Sequence, residues 1–137
     1  MAHDVHAPDG AYLSFWRERH ICTLTTQRPD GSPHVVPVGA TYDPEAGLAR
    51  IITGRFSRKV AHVLAAVEAD PQGARVALCQ LEGRRWATLE GRAFVRTEPE
   101  LIADAEQRYA ERYQRTPREN PDRVLIEVRL TRAMGNV

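Results

Sequence analysis

The segment 52–59 carries side chains that could bind a phosphate group. Its pattern predicts that a strand ends here, that Gly54 turns the chain and that a helix begins near Ser57. The first N–H groups of a helix have no partner within the helix, and the helix dipole is positive at that end, so both favour a phosphate. Two hydroxyls and three cations could add charge-assisted hydrogen bonds: Thr53, Ser57, Arg55, Arg58 and Lys59. The alternative interpretation is that Ser57 only caps the helix while the cations are solvated.

No other group of side chains has the spacing of a catalytic or metal site. The chain lacks the Ser–His–Asp, Cys–His and paired-carboxylate patterns of nucleophilic or acid–base catalysis, and it has neither a Walker loop nor a GxGxxG motif. Cys22 and Cys79 are not in CxxC spacing, which predicts reduced, buried thiols rather than a zinc site. We therefore expect no catalytic side chain and no metal ligand. The absence of a nucleophile is compatible with hydride transfer from a cofactor.

Composition narrows the classes of protein that remain. The 137 residues fit one domain spanning 1–137, and 42% hydrophobic residues suffice for a core. With 19 basic and 18 acidic residues, the net charge of +1 is too balanced for a protein that coats nucleic acid or an anionic membrane. No apolar run approaches the ~20 residues of a membrane span, and the first residues lack the apolar core of a signal peptide, so we expect a cytoplasmic protein. Lys59 is the single lysine among these basic residues.

The elements that would position the phosphate site are mainly strands. Alternating apolar residues and turn signals predict six strands, at 21–26, 32–42, 48–53, 74–81, 84–96 and 123–131. Helical spacing predicts three helices, at 10–19, 56–69 and 97–113, the last opened by a capping box at Thr97–Glu100. The second helix is indicated by Val60, Val63, Leu64 and Val67, which recur at helical spacing. Six antiparallel strands in so short a chain would curl into a barrel, because closure removes exposed edges.

Several of these segments, in the same order along nearly the whole chain, resemble the pyridoxamine-phosphate-oxidase-like split barrels. The resemblance is carried by Thr53 with Ser57–Lys59, by Ser32–Val38, by Asp70-Pro71 and by Arg85–Ala93. Within that superfamily the chain is similar to the flavin/deazaflavin oxidoreductases, and most to the actinobacterial biliverdin reductases that use the deazaflavin coenzyme F420. That closer similarity lies in Glu18–His20 with Leu24–Thr26, in Leu89–Ala93 and in Arg108–Pro121.

The resemblance implies a homodimer with two cofactor sites at the subunit interface. The tricyclic ring would lie against the second and third strands, at Val36, Pro37, Val38, Gly39, Ile51 and Ile52. The phosphate would be held by Thr53, Ser57, Arg58 and Lys59. Trp86 would reach the ring bound by the other subunit, and Gln80 is a weaker candidate for a contact at the ring edge. A core position for Trp86 is the alternative.

The implied function is transfer of a hydride from reduced F420 to a conjugated acceptor, with biliverdin as the expected substrate and bilirubin as the product. Two alternatives stay open, namely an FMN-dependent oxidoreductase on the same barrel and a non-catalytic carrier of a flavin, haem or tetrapyrrole. F420 and FMN both carry a phosphate on a ribityl chain, so the phosphate site does not separate them. The C-terminal arginines are interpreted mostly as a solvated face, some of which could bind an anionic substrate or the coenzyme tail: Arg108, Arg112, Arg115 and Arg118.

Overall fold

The computed structural model describes all 137 residues as one antiparallel sheet with three helices. The strands are β1 (Ala2–His3), β2 (Cys22–Gln27), β3 (Pro33–Val38), β4 (Ala40–Asp43), β5 (Leu48–Gly54), β6 (Ala74–Glu82), β7 (Arg85–Arg96) and β8 (Arg123–Asn136). The helices are α1 (Gly10–Arg17), α2 (Arg58–Ala69) and α3 (Pro99–Tyr113). No helix has the length and apolar character needed to span a membrane.

The sheet curls on itself because its two outermost strands are consecutive in the chain. The pairing order is β3-β2-β6-β7-β8-β5-β4, with β1 added beside β8. Only Gly39 separates β3 from β4. A single residue can join the two ends of this path only if the path closes, so the sheet forms a barrel, as the sequence predicts.

The sequence predicts six strands, whereas the structure has eight. The predicted strand 32–42 is divided at Gly39, because its first half pairs with β2 and its second half pairs with β5. The two-residue β1 is too short to give a periodic signal and forms only by pairing with the end of β8. That end extends five residues beyond the predicted limit of Thr131.

The barrel interior contains a hydrophobic core of 22 buried residues, contributed by the strands and by the helices α1 and α2. Alternation along β7 and β8 directs Ala87, Leu89 and Ala93, together with Val128, into this core. The short helix α1 buries Tyr12, Phe15 and Trp16, and α2 packs against β2, β6 and β7. The third helix, α3, packs against β4, β5 and β8.

Two details of the helices differ from what the sequence pattern suggests. Leu64 is 53% exposed, so the apolar face of α2 that enters the core is narrower than helical spacing indicates and is formed mainly by Val60 and Val63. The capping box at Thr97–Glu100 does not form. Instead Glu98 is the N-cap of α3, it makes no capping hydrogen bond with its side chain, and Pro99 follows at the first helical position.

Candidate functional site

The end of β5 and the start of α2 form a corner that we call the cradle, consisting of Thr53, Ser57, Arg58 and Lys59. Two backbone hydrogen bonds fix the connecting turn: the Ser57 N–H donates to the Gly54 carbonyl over 3.1 Å, and the Arg55 N–H donates to the Asp122 carbonyl over 2.8 Å. The Thr53 hydroxyl lies 3.5 Å from the Ser57 hydroxyl and donates to it. The cradle therefore brings together both hydroxyls that the sequence singles out.

Ser57 is the N-cap residue of α2, but its side chain makes no capping hydrogen bond. The first intrahelical bond is the one from the Ala61 N–H to the Ser57 carbonyl, so the preceding N–H groups of the first turn have no partner in the helix. The interpretation that Ser57 only caps the helix is therefore wrong. Its hydroxyl and the first-turn N–H groups remain available to an external acceptor.

Lys59 lies in the first turn of α2 and is partly buried. It takes part in none of the ion pairs or side-chain hydrogen bonds of the protein, and burial lowers its pKa below the ordinary value of 10.5. Withdrawing an ammonium group from water without an acidic partner costs free energy, which an anionic ligand would recover. Arg55 and Arg58 are exposed and also lack an acidic partner. Hydroxyls, cations and free N–H groups together form a donor set that fits a phosphate ester.

The strand residues predicted to contact the ring divide between the two faces of the sheet. Val38 and Ile51 belong to the core, and Val36 packs against it. Pro37 is exposed, and Gly39 and Ile52 line a common cavity of 240 Å³ on the outer side. A ring on the outer side could therefore touch the side chains of Pro37 and Ile52, but it could reach the three inward-facing residues only through their backbone.

Gln80 is not at a surface position, which is a correction to its predicted role. Its side chain is 1% exposed, and its amide donates to the Phe15 carbonyl over 2.9 Å. Its amide oxygen accepts a hydrogen bond from the Arg112 guanidinium. Because both ends of the amide are satisfied inside the protein, the structure gives Gln80 a structural role and removes it from the ring edge.

Arg112 belongs to the same buried network and is also wrongly interpreted as part of a solvated face. It is 8% exposed and donates to the backbone carbonyls of Glu18 and Ala40. Its guanidinium also lies 5.4 Å from the Trp16 ring centre. The spacing of seven residues from the buried Ala105 on α3 is the sequence signal that could have placed Arg112 on the inner face.

Trp86 is not a core residue, since it is 36% exposed on β7 and lies directly opposite Leu81 on β6. Leu81 is 68% exposed, and Ile21, which precedes β2, is 62% exposed. Val35 on β3 is exposed as well and pairs with Thr25 of β2. Alternation places these side chains on the outside of the sheet β3-β2-β6-β7, where no helix covers them. We call this surface, consisting of Ile21, Val35, Leu81 and Trp86, the outer apolar face.

Beside Trp86, a group of charged residues joins the end of α1 to the β6–β7 hairpin. Arg85 binds Glu18 through two hydrogen bonds of 2.8 and 2.9 Å and lies 3.0 Å from a Glu82 carboxylate oxygen. His20 lies between the same two carboxylates, at 3.0 and 3.2 Å. The hydrogen bonds from Arg85 and then from His20 lower the pKa of Glu18 to about 2. Glu18, His20 and Glu82 are close enough to share an ion, but Arg85 already pairs with both carboxylates.

The fold and the cradle define a class of protein. The family model described as pyridoxamine 5'-phosphate oxidase matches residues 8–135, and the chain belongs to this family, as the sequence predicts. Among individual proteins, the F420H(2)-dependent biliverdin reductase of Mycobacterium tuberculosis (strain CDC 1551 / Oshkosh) is 52% identical over 124 residues. The match covers 90% of this chain and 85% of that relative.

Solved structures share the same fold. An F420 reductase superimposes with a TM-score of 0.69 at 24% identity, over 93% of this chain and 98% of that one. A conserved hypothetical protein from Mycobacterium tuberculosis superimposes with a TM-score of 0.72 at 23% identity, over 93% of this chain and 82% of that one. At these identities the two likenesses establish the barrel alone.

Proposed function

We propose that the protein is an F420H2-dependent reductase that transfers a hydride to a conjugated acceptor, converting biliverdin to bilirubin in the cytoplasm. The observation that carries this proposal is the 52% identity to an F420H(2)-dependent biliverdin reductase over 90% of the chain. The donor set of the cradle supports it, because hydroxyls, free first-turn N–H groups and a lysine without an acidic partner converge on one corner.

The cradle would hold the phosphate of the coenzyme. Thr53 and Ser57 would donate hydroxyl hydrogen bonds, Arg58 and Lys59 would supply charge, and the first-turn N–H groups of α2 would complete the contact. When bound, the reduced deazaflavin supplies the hydride. FMN has a phosphate at the same chemical position and is the alternative cofactor; the relative's stated activity favours F420.

The remaining task of the protein is to position two flat molecules. Gly39 and Ile52 line a common cavity, Pro37 is exposed two residues before Gly39, and Ile52 directly precedes Thr53 of the cradle. A ring on the outer side of β3 and β5 would lie against these residues. Holding donor and acceptor in contact converts a bimolecular reaction into an effectively unimolecular one. Such a reaction requires no nucleophile from the protein, in agreement with the absence of one in the sequence.

The proposal includes a homodimer with cofactor sites at the interface. The outer apolar face supports this part, since four large apolar side chains on one sheet surface lack any cover within the chain. A second copy placed on this face would bury Trp86 at the interface. Trp86 would then be able to contact the ring bound by the other subunit and to exclude water from it.

The test is to mix purified protein with reduced F420 and biliverdin without oxygen and to follow the absorbance of oxidised coenzyme and bilirubin. We expect both to form in equal amounts, at a rate proportional to protein concentration. A protein that binds biliverdin tightly without turnover would instead be a carrier. A yellow protein that retains FMN through dialysis and shows no F420-dependent rate would be the FMN enzyme, and either result overturns the proposal.

A further inference from the structure

The cavity between α3, β4–β5 and the loop before β8 differs in charge from the three larger cavities. It has a volume of 240 Å³, and its walls include Gly39, Ile52, Tyr109, Arg115, Arg118 and Arg123. No carboxylate lines it, whereas each larger cavity contains at least one acidic side chain. We call it the arginine cavity.

Most of the positive charge of this cavity is not neutralised within the chain. Arg115 and Arg118 form no ion pair and no side-chain hydrogen bond with the rest of the protein. Arg123 pairs with Glu106 through one terminal nitrogen, at 2.6 Å, but its Nε–H is buried and has no acceptor. A buried donor without a partner lowers stability, and an acceptor brought by a ligand would satisfy it. The cavity thus offers two free guanidinium groups and part of a third.

We propose that the arginine cavity binds the carboxylates of the acceptor. This inference rests on the proposed function and adds to it the part of the protein that selects a dicarboxylate substrate. Gly39 and Ile52 belong both to the cavity wall and to the proposed ring contact. An acceptor stacked on the ring would therefore have its carboxylate side chains next to the cavity. Guanidinium groups bind carboxylates through paired hydrogen bonds, and the two propionates of biliverdin match the two free arginines in charge.

The glutamate tail of F420 has the same carboxylate chemistry and is the other possible source of the ligand. The tail begins at the phosphate, where Arg55, Arg58 and Lys59 already supply unpaired charge. The arginine cavity instead shares Gly39 and Ile52 with the proposed ring contact, next to which the acceptor would stack. The loop before β8 also borders the cradle, because the Arg55 N–H donates to the Asp122 carbonyl. The shared wall residues favour the acceptor as the ligand, and titration with tailed and tailless coenzyme distinguishes the two sources.

The experiment compares binding of biliverdin and of its dimethyl ester, with oxidised F420 present so that no hydride is transferred. We expect the wild-type protein to bind the free acid about tenfold or more tightly than the ester. Arg115→Gln and Arg118→Gln should each weaken binding of the free acid by about the same factor and leave binding of the ester unchanged. Arg17→Gln is the matched control, because Arg17 is also exposed and free of acidic partners but lies at the end of α1.

Two results would overturn the inference. Equal affinity of the wild-type protein for acid and ester would mean that the carboxylates are not recognised. The second result would come from a further titration, in which each variant is titrated with F420 and with the same deazaflavin lacking the tail. If the variants weaken only the tailed coenzyme, the cavity holds the tail. If the acid is preferred but the wild-type protein shows no turnover, the proposed reaction fails while the carboxylate site stands.

Discussion

The ammonium group of Lys59 is the residue-scale feature most specific to the proposed site. It is partly withdrawn from water, it has no acidic neighbour, and burial lowers its pKa. An unpaired charge in such a position lowers the stability of the free protein slightly, and it is retained in a chain that otherwise uses only arginine. A compact ammonium group acts as a point charge toward a phosphate, which is the role that the cradle geometry offers it.

Lys59→Ala should weaken binding of F420 by about 10- to 100-fold, because a charge-assisted contact contributes about 1.5–3 kcal/mol. The free energy of unfolding should change by less than about 0.5 kcal/mol, because the lysine has no partner to lose. Fluorescence titration with F420 and urea denaturation measure the two quantities. Arg17→Ala, which removes an equally unpaired charge elsewhere, should change neither.

The same experiment has a pH dependence with a defined sign. A bound phosphate stabilises the charged lysine, so coenzyme binding raises the pKa of Lys59 above its lowered value in the free protein. The affinity that Lys59 contributes is then complete below the free-protein pKa and is lost as the pH rises through the pKa of the complex. Wild-type affinity should fall more steeply with pH than that of Lys59→Ala, and parallel curves would contradict a contact between Lys59 and the coenzyme.

Among the elements, the break between β3 and β4 decides how the barrel closes. A Cβ built on Gly39 would lie 2.7 Å from a ring carbon of Tyr109 and 3.3 Å from one of Tyr113. Both tyrosines belong to α3, so the glycine lets this helix approach the point where the chain passes from one end of the sheet to the other. The packing of α3 and the closure of the barrel therefore depend on the same residue.

Gly39→Ala should destabilise the protein by about 1–3 kcal/mol, the usual cost of extra volume in a packed region. Urea denaturation at neutral pH measures the loss. The same substitution in a Tyr109→Ala background should cost less, because the nearest clash is gone. Gly10→Ala serves as the control, since nothing lies within 4 Å of its added Cβ. An equal cost of Gly39→Ala in both backgrounds would show that the contact with Tyr109 is not the cause.

The sequence predicts those features of the strands and helices that leave a periodic pattern within a single segment. Alternation in β7 and β8 correctly predicts the faces of Ala87, Leu89 and Val128, because burial on one side leaves a period of two. The division of the second strand at Gly39 is not predicted, because both halves carry a strand-like pattern. Only the closure of the sheet, which puts the two halves at opposite ends of the pairing order, separates them. The buried position of Gln80 could have been predicted, because alternation puts it on the same face of β6 as the buried Val76 and Leu78. Its polar side chain favoured a surface position instead.

At the scale of the site, the cradle was recognisable because its residues are contiguous. The hydroxyls, the turn and the helix start all fall within segment 52–59, so spacing alone brings them together. The arginine cavity was not recognisable as a unit, because it combines β4–β5 edge residues with a loop more than sixty residues later in the chain. Register between β5 and β8, in which Gly54 pairs with Arg123, is what joins them.

At the scale of the whole molecule, the outer apolar face is a group of large apolar side chains that the chain itself leaves exposed. Ile21, Leu81 and Trp86 lie in neighbouring positions across the adjoining β2, β6 and β7 segments, and each is at least one-third exposed. Exposed apolar side chains grouped on one surface mark an interaction site more often than they mark a monomer surface. The same sheet surface carries small or flat residues around them, including Pro37 and Ala77, which allow close approach of a second sheet.

If the proposed dimer forms through this face, Leu81→Glu should convert it to a monomer and weaken F420 binding with it. A carboxylate placed at the centre of an apolar interface loses its hydration without gaining a partner, and across a two-fold axis this penalty applies twice. Sedimentation velocity measures the oligomeric state, and titration of the same samples with F420 measures binding. If the dimer completes the site through Trp86, the two losses should occur together.

Leu64→Glu is the control, because Leu64 is a leucine of similar exposure that lies on α2 rather than on the outer apolar face. It should remain dimeric and bind F420 like the wild type. A second variant, Trp86→Ala, separates the two roles of the face. Its truncation removes the side chain proposed to contact the neighbouring ring but adds no charge, so binding should fall while much of the dimer persists. A wild-type protein that sediments as a monomer, or a Leu81→Glu monomer that binds F420 normally, would contradict the shared site and leave each barrel complete on its own.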